Sequence, residues 1–201
     1  MINKQNLKII ISSPSGAGKT TVTKRILKKL KSSYLSVSCT TRDPRVGEIN
    51  NVDYNFVTRS KFLNLKKKNK FIETAKVFEN YYGTLKSEIY KDKKIILLDV
   101  DWQGARNLRK SLLNNCYSFF LLPPNLKELK KRLLKRHKDN KKIALKRIAS
   151  AKKDVKHWVE YDYVFINDNL NYCVKKIINQ INYLQAIKTQ ENIIKKILKK
   201  F

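Results

Sequence analysis

Ten residues constrain this chain more than any others: Ser12-Ser13-Pro14-Ser15-Gly16-Ala17-Gly18-Lys19-Thr20-Thr21. They follow an apolar run, Leu7 to Ile11, and precede Val22, Ile26, Leu27 and Leu30 at helical spacing. Strand, small-residue loop and helix in that order is the setting of a phosphate-binding loop. The glycines let consecutive N–H groups face one anion, and the new helix adds the positive end of its dipole there. In this reading Ser13, Pro14, Ser15, Gly16, Ala17 and Gly18 wrap the phosphates of ATP. Lys19 reaches the β- and γ-phosphates, and the Thr20 hydroxyl ligates Mg2+. Ser13 stands where the strict pattern has glycine, but the tail Ser-Gly-Ala-Gly-Lys-Thr is intact. A glycine-rich turn with a solvated lysine is the plain alternative. It is disfavoured because strand, spacing and helix all agree.

The rest of the chain continues the alternation. Strands are predicted at Tyr34–Ser38, Lys94–Asp99, Tyr117–Leu122 and Tyr163–Ile166, with helices at Gly104–Leu113, Asn125–Lys135, Asn140 toward Trp158, and from Leu170 to the end. Five apolar strands separated by helices predict an α/β domain with a parallel five-stranded sheet covered on both faces. The stretch from about 42 to 92 differs: short strands at Tyr54–Val57, Phe71–Phe78 and Tyr81–Tyr82, a short basic helix capped by Ser60, and a helix from Leu85 to about Lys91. It reads as a separate small mixed α+β lobe. The core is then about 1–41 and 93–201, with a helical lid at about 125–157. The apolar tail residues Ile193, Ile194, Ile197, Leu198 and Phe201 form one face of an amphipathic helix, expected to dock on the parent fold, with a membrane or partner surface as the sharper alternative.

Composition excludes several classes. No run of eighteen apolar residues exists and the first residues lack a signal-peptide pattern, so a cytoplasmic protein without a membrane partner is expected. Cys39, Cys116 and Cys173 are odd in number and widely spaced, which suits a reducing compartment. The formal charge of +29 invites a nucleic-acid reading, but only nine of the 45 basic residues are arginine and the lysines are dispersed. No dedicated nucleic-acid partner is expected. His137 and His157 lack ligand-spaced partners, and Trp102 and Trp158 are assigned to packing.

Chemistry concentrates after the second strand, in Ser38-Cys39-Thr40-Thr41-Arg42-Asp43-Pro44-Arg45-Val46-Gly47-Glu48. Two arginines three apart in a Pro/Gly-constrained loop suit a dianionic phosphate. Asp99 and Asp101 end an apolar strand, where buried parallel sheets place functional acids; capping of the next helix is their structural alternative. With the stretches Ser12–Thr20, Val37–Glu48, Asp53–Val57, Phe71–Gly83, Leu98–Gly104, Leu121–Pro124 and Tyr161–Asp168 in this order, the sequence resembles the guanylate kinases over most of residues 7–170.

The resemblance implies a P-loop nucleoside monophosphate kinase that phosphorylates GMP, and dGMP, from ATP with Mg2+ in purine metabolism. It implies that Arg42, Arg45, Tyr54 and Tyr82 hold the GMP phosphate, and that Ser38, Glu73, Thr84 and Asp101 read guanine. It further implies that Asp99 enters the Mg2+ shell through water, that Asn167 lies near adenine, and that Arg132, Arg136 and Arg147 form the lid arginines. His137 replaces a usual lid glycine, which implies an altered lid turn. The physics of the base agrees: the N1–H and N2–H2 donors of guanine suit carboxylates, whereas adenine would leave them unpaired. A monomer or small homo-oligomer is expected. A non-catalytic interaction module and a basic nucleic-acid binder are the rival classes.

Overall fold

The computed structural model describes residues 6–112, 116–136 and 140–199. The altered lid turn expected at His137, and the tail residue Phe201, lie outside the described residues.

Five strands form one parallel sheet: β1 (Leu7–Ser12), β2 (Ser33–Leu35), β7 (Ile95–Asp99), β8 (Cys116–Leu122) and β9 (Tyr163–Ile166), in the order β2-β7-β1-β8-β9. All six residues of β1 are buried, as a central strand covered on both faces demands. One face carries Leu7, Ile9, Ile11, Leu97 and Phe119 against α1 (Lys19–Lys29) and α6 (Leu170–Leu198). The other carries Ile10, Ile96, Leu98 and Phe120 against Ala105 and Leu108 of α3 (Trp102–Leu112). Helices α4 (Leu126–Arg136) and α5 (Lys141–Asp154) pack together through Leu129, Leu133, Ile148 and Ala151.

A second, four-stranded sheet has the order β4-β3-β6-β5, from β3 (Cys39–Thr40), β4 (Asn55–Phe56), β5 (Phe71–Val77) and β6 (Asn80–Leu85). Helix α2 (Arg59–Lys67) covers it by stacking Phe62 on Phe71 and Tyr81, with ring centroids 4.6 and 5.4 Å apart. Both the parallel sheet and the small mixed sheet follow the pattern read from the sequence.

Several local expectations are corrected. Thr58, not Ser60, caps α2, its hydroxyl accepting from Lys61 N at 3.2 Å. The β5–β6 turn falls at Phe78-Glu79, where Phe78 has φ 53°. The segment Lys86–Tyr90 is a 3-10 turn, and α5 ends at Asp154 before another 3-10 turn, Val155–Glu160. The second strand stops at Leu35 because the backbone then leaves the sheet: Val37 N donates to the Glu88 carboxylate at 2.7 Å. Trp158 is 48% exposed, whereas Trp102 does pack, stacking on the His157 ring. Among the described tail residues Lys188 donates to the Asn6 carbonyl at 3.0 Å, but Ile193, Ile194, Ile197 and Leu198 are all exposed and do not dock. Among the described residues no helix is long and apolar enough to cross a membrane.

Candidate active site

The sheet brings every strand's carboxyl end to one edge, where open α/β sheets place ligands. At the end of β1 the chain turns through Gly16 (φ +88°) and Gly18 (φ +94°), backbone that residues with a Cβ rarely adopt. Gly18 caps α1 with no side-chain acceptor on the first-turn N–H groups among the described residues, which leaves them for an anion. Lys19 Nζ lies 2.5 Å from Asp99 Oδ1 and donates to the Val100 carbonyl at 2.7 Å, so it is held at the end of β7. Thr20 is exposed at the start of the helix.

The loop is held from behind. Asn167, buried after β9, donates Nδ2 to the Ala17 carbonyl at 2.8 Å. Arg132 on α4 donates to the same carbonyl at 3.3 Å and to the Asn167 carbonyl at 3.4 Å, while pairing with Glu128 at 2.9 Å. Leu133 covers Gly16, where an added Cβ would stand 2.9 Å from Leu133 Cγ.

Across the cleft, the second sheet gathers a polar pocket. Glu73 on β5 and Thr84 on β6 face each other, Thr84 Oγ1 donating to Glu73 Oε1 at 2.7 Å. Ser38 Oγ is 3.4 Å from the Thr84 hydroxyl. Asp101 arrives from the main sheet: its Oδ1 accepts from Gly104 N at 2.9 Å. A Cβ on Gly104 would lie 2.9 Å from Glu73 Oε2 and 3.3 Å from Asp101 Oδ1, so the two carboxylates converge on that glycine. Burial pushes the Glu73 carboxyl up to about 7, against the pull of the Thr84 hydroxyl and with help from Asp101.

Between loop and pocket lie the arginines. Glu48 takes Arg42 in a two-pronged pair at 2.8 and 3.0 Å, accepts from Arg45 N at 2.8 Å, and stands 3.7 Å from the Arg45 guanidinium. The Arg42 guanidinium also lies over the Tyr54 ring at 5.3 Å, and Tyr54 meets Tyr82 edge-on at 6.1 Å. Burial raises the Tyr54 hydroxyl pKa, and the charge of Asp99 adds to it, which keeps the phenol a donor. Burial lowers the Arg45 pKa to about 10, with further lowering from Arg136, Arg42 and Arg147. Arg147 is lowered by burial and by Arg136 and Arg42. Arg147 donates to Ser15 Oγ at 3.3 Å and lies 5.5 Å over the Phe78 ring, touching both walls of the cleft.

The structure thus groups Lys19, Thr20 and Asp99 at one wall, Ser38, Glu73, Thr84 and Asp101 at the other, and Arg42, Arg45, Arg136 and Arg147 between them. Arg132 and Asn167 stand apart from the arginine group, against the back of the loop. Sequence reasoning assigned no role to Glu48, although an acid three residues beyond Arg45 in the same constrained loop was a readable signal. It also missed Glu88, which accepts from Tyr34 Oη and Val37 N, both at 2.7 Å, and so sets the path to Ser38. No local pattern announces that contact.

The profile of the guanylate kinase family matches residues 5–184. A guanylate kinase of Wolbachia pipientis is 41% identical, over 94% of this chain and 96% of its own. That of Rickettsia prowazekii is 43% identical, over 86% and 89%. A crystal structure of guanylate kinase from Anaplasma phagocytophilum superposes with a TM-score of 0.75 at 30% identity, covering 92% of this chain and 88% of that one. By profile, identity and superposition, the chain belongs to the guanylate kinase family.

Proposed function

We propose that the protein transfers the γ-phosphoryl group of ATP to GMP, and to dGMP, giving ADP and the diphosphate. An oxygen of the acceptor's phosphate forms the new bond to the γ-phosphorus while the bond to the bridging β,γ-oxygen breaks, leaving ADP. No covalent enzyme intermediate is required, so the protein's work is alignment and charge. The observation that carries this reading is the clustering of four arginines, two of them paired with the Glu48 carboxylate, between a phosphate-binding loop and a buried carboxylate pocket.

Arg42 and Arg45, with Tyr54 and Tyr82, would hold the acceptor phosphate in line. Ser38, Glu73, Thr84 and Asp101 would read guanine. The loop from Ser13 to Gly18 would wrap the ATP phosphates, and Lys19 with Arg136 and Arg147 would balance charge on the transferring group. Arg132 would join them as the third lid arginine and Asn167 would lie near adenine, while both brace the loop at the Ala17 carbonyl. The lobe at about 42–92 and the lid at about 125–157 would close to exclude water.

The Thr20 hydroxyl and the Asp99 carboxylate are hard oxygen donors beside the loop, and that donor set fits Mg2+, with Asp99 acting through water. When bound, the ion supplies charge neutralisation at the β- and γ-oxygens. Lys19 would leave its pair with Asp99 to reach the ATP phosphates. We place the enzyme in the cytoplasm, as a monomer or small homo-oligomer.

A coupled ADP-release assay with GMP, AMP and dTMP as acceptors tests the reading. Turnover should require GMP or dGMP and fall about 10²–10³-fold in Lys19→Ala, the usual loss on removing one transition-state donor. Equal turnover with AMP would overturn the assignment of the pocket.

A further inference from the structure

Strand β5 is an edge of the four-stranded sheet, with β6 on one side only. Its other side is met by α3. Gln103 Nε2 donates to the Lys76 carbonyl at 3.2 Å, Asn107 Nδ2 to the Thr74 carbonyl at 3.1 Å, and Ser111 Oγ to the Ile72 carbonyl at 3.3 Å. The donors are spaced four apart along α3, the acceptors two apart along β5, and the two elements run in opposite directions.

That spacing has a simple origin. Four residues of helix rise about 6.0 Å, and two residues of strand advance about 6.6–6.8 Å. A helix laid antiparallel to a strand edge can therefore ladder it with a drift of under about 1 Å per rung. Three rungs fit; a slip by one rung would carry β5 about 6.6–6.8 Å along the helix. Ile72 strengthens the seat by packing its side chain into the core beneath α3.

Glu73 sits between two rungs, and Asp101 sits just before the helix that supplies them. Gln103 links the ladder to the pocket directly, its Nε2 also lying 3.3 Å from Asp101 Oδ2. We infer that Gln103, Asn107 and Ser111 are positioning residues for guanine selection: they fix the register of the edge strand on α3, and with it the placement of Glu73 against Asp101. This rests on the reading of Glu73 and Asp101 as the guanine pocket. None of the three side chains need touch substrate.

The test uses Asn107→Leu and Ser111→Ala, singly and together, with Ser111→Thr as the variant that keeps the hydroxyl and Glu73→Gln as the reference. Steady-state kinetics compare GMP with IMP, which lacks the 2-amino group. Each lost rung should raise the GMP KM about two- to fivefold, since exposed hydrogen bonds are worth little singly. The double variant should lose about tenfold of the GMP-over-IMP preference, with kcat and the ATP KM nearly unchanged, and Ser111→Thr should behave as wild type. A double variant with unaltered GMP KM and preference, beside a Glu73→Gln that loses its preference, would overturn the inference while leaving the pocket intact. A Glu73→Gln that keeps full preference would instead overturn the pocket. Amide exchange over residues 71–77 reads the register lock independently of Glu73. Faster exchange in the double variant is the expected result, and unchanged exchange refutes the ladder even if the pocket reading fails.

Discussion

Replacing Glu73 by Gln should make the free protein more stable at alkaline pH while damaging its choice of substrate. Glu73 is 5% exposed, and its carboxyl titrates near 7 instead of 4.5 because burial penalises the charge. The folded chain therefore binds more protons than the unfolded chain between these values. The stability this group contributes is fully present below pH 4.5 and is lost as pH rises through about 7. At about 1.4 kcal/mol per pH unit the full gap is about 3 kcal/mol, of which about 2.5 kcal/mol falls between pH 5 and 8. A glutamine does not titrate, and its oxygen can still accept the hydrogen bond that Thr84 now donates at 2.7 Å. Urea unfolding of wild type and Glu73→Gln at pH 5, 6, 7 and 8 gives the difference directly, because groups that do not interact with Glu73 cancel in the subtraction. The variant's relative stability should climb by about 2.5 kcal/mol across that range. Parallel stability curves would refute the reasoning and mean that the carboxyl is ionised at an ordinary pKa. Binding supplies a second check. GMP engages the carboxylate form, so at pH 7 wild type should release about half a proton more on binding than Glu73→Gln, measured by calorimetry in buffers of different ionisation heat.

Glu48→Gln should leave the ATP KM unchanged and raise the GMP KM about tenfold, because Arg42 and Arg45 lose the charged acceptor that aims them; steady-state kinetics decide this, and an unchanged GMP KM would show the arginines to be self-supporting. Gly18→Ala should lower the melting temperature and weaken ATP at least about tenfold. Its φ of +94° strains any Cβ, and that Cβ would stand 2.5 Å from Asn167 Nδ2, displacing the amide from the Ala17 carbonyl. Calorimetry and the ATP KM read the two effects separately.

The phosphate loop was legible because its chemistry is contiguous: the residues that curl the backbone, start the helix and carry the charge are neighbours in sequence. The five strands were legible for a similar reason, since short continuous apolar runs bounded by turn residues have few other uses. The pocket was legible only through resemblance. Ser38, Glu73, Thr84 and Asp101 lie on four separate segments, and no local pattern relates them.

Other features were decided by packing alone. Arg132 and Arg136 share a helix and a four-residue spacing, which predicts one face and a shared role. The seating of Leu133 over Gly16 instead turns Arg132 toward the Ala17 carbonyl, while Arg136 adds its charge to the group around Arg45. Glu88 meets Tyr34 across 54 positions of sequence, a contact that exists only once β2 lies beside β7. The tail shows the limit most clearly. Its apolar periodicity is the same whether the helix is docked or free, so the sequence determined only that the segment is helical. The fold decided the rest through length: α6 has 29 residues and β1 has six, so a helix of about 43 Å runs beside strands of about 20 Å. Beyond Leu184, the last buried residue of α6, Ile193, Ile194, Ile197 and Leu198 remain in solvent.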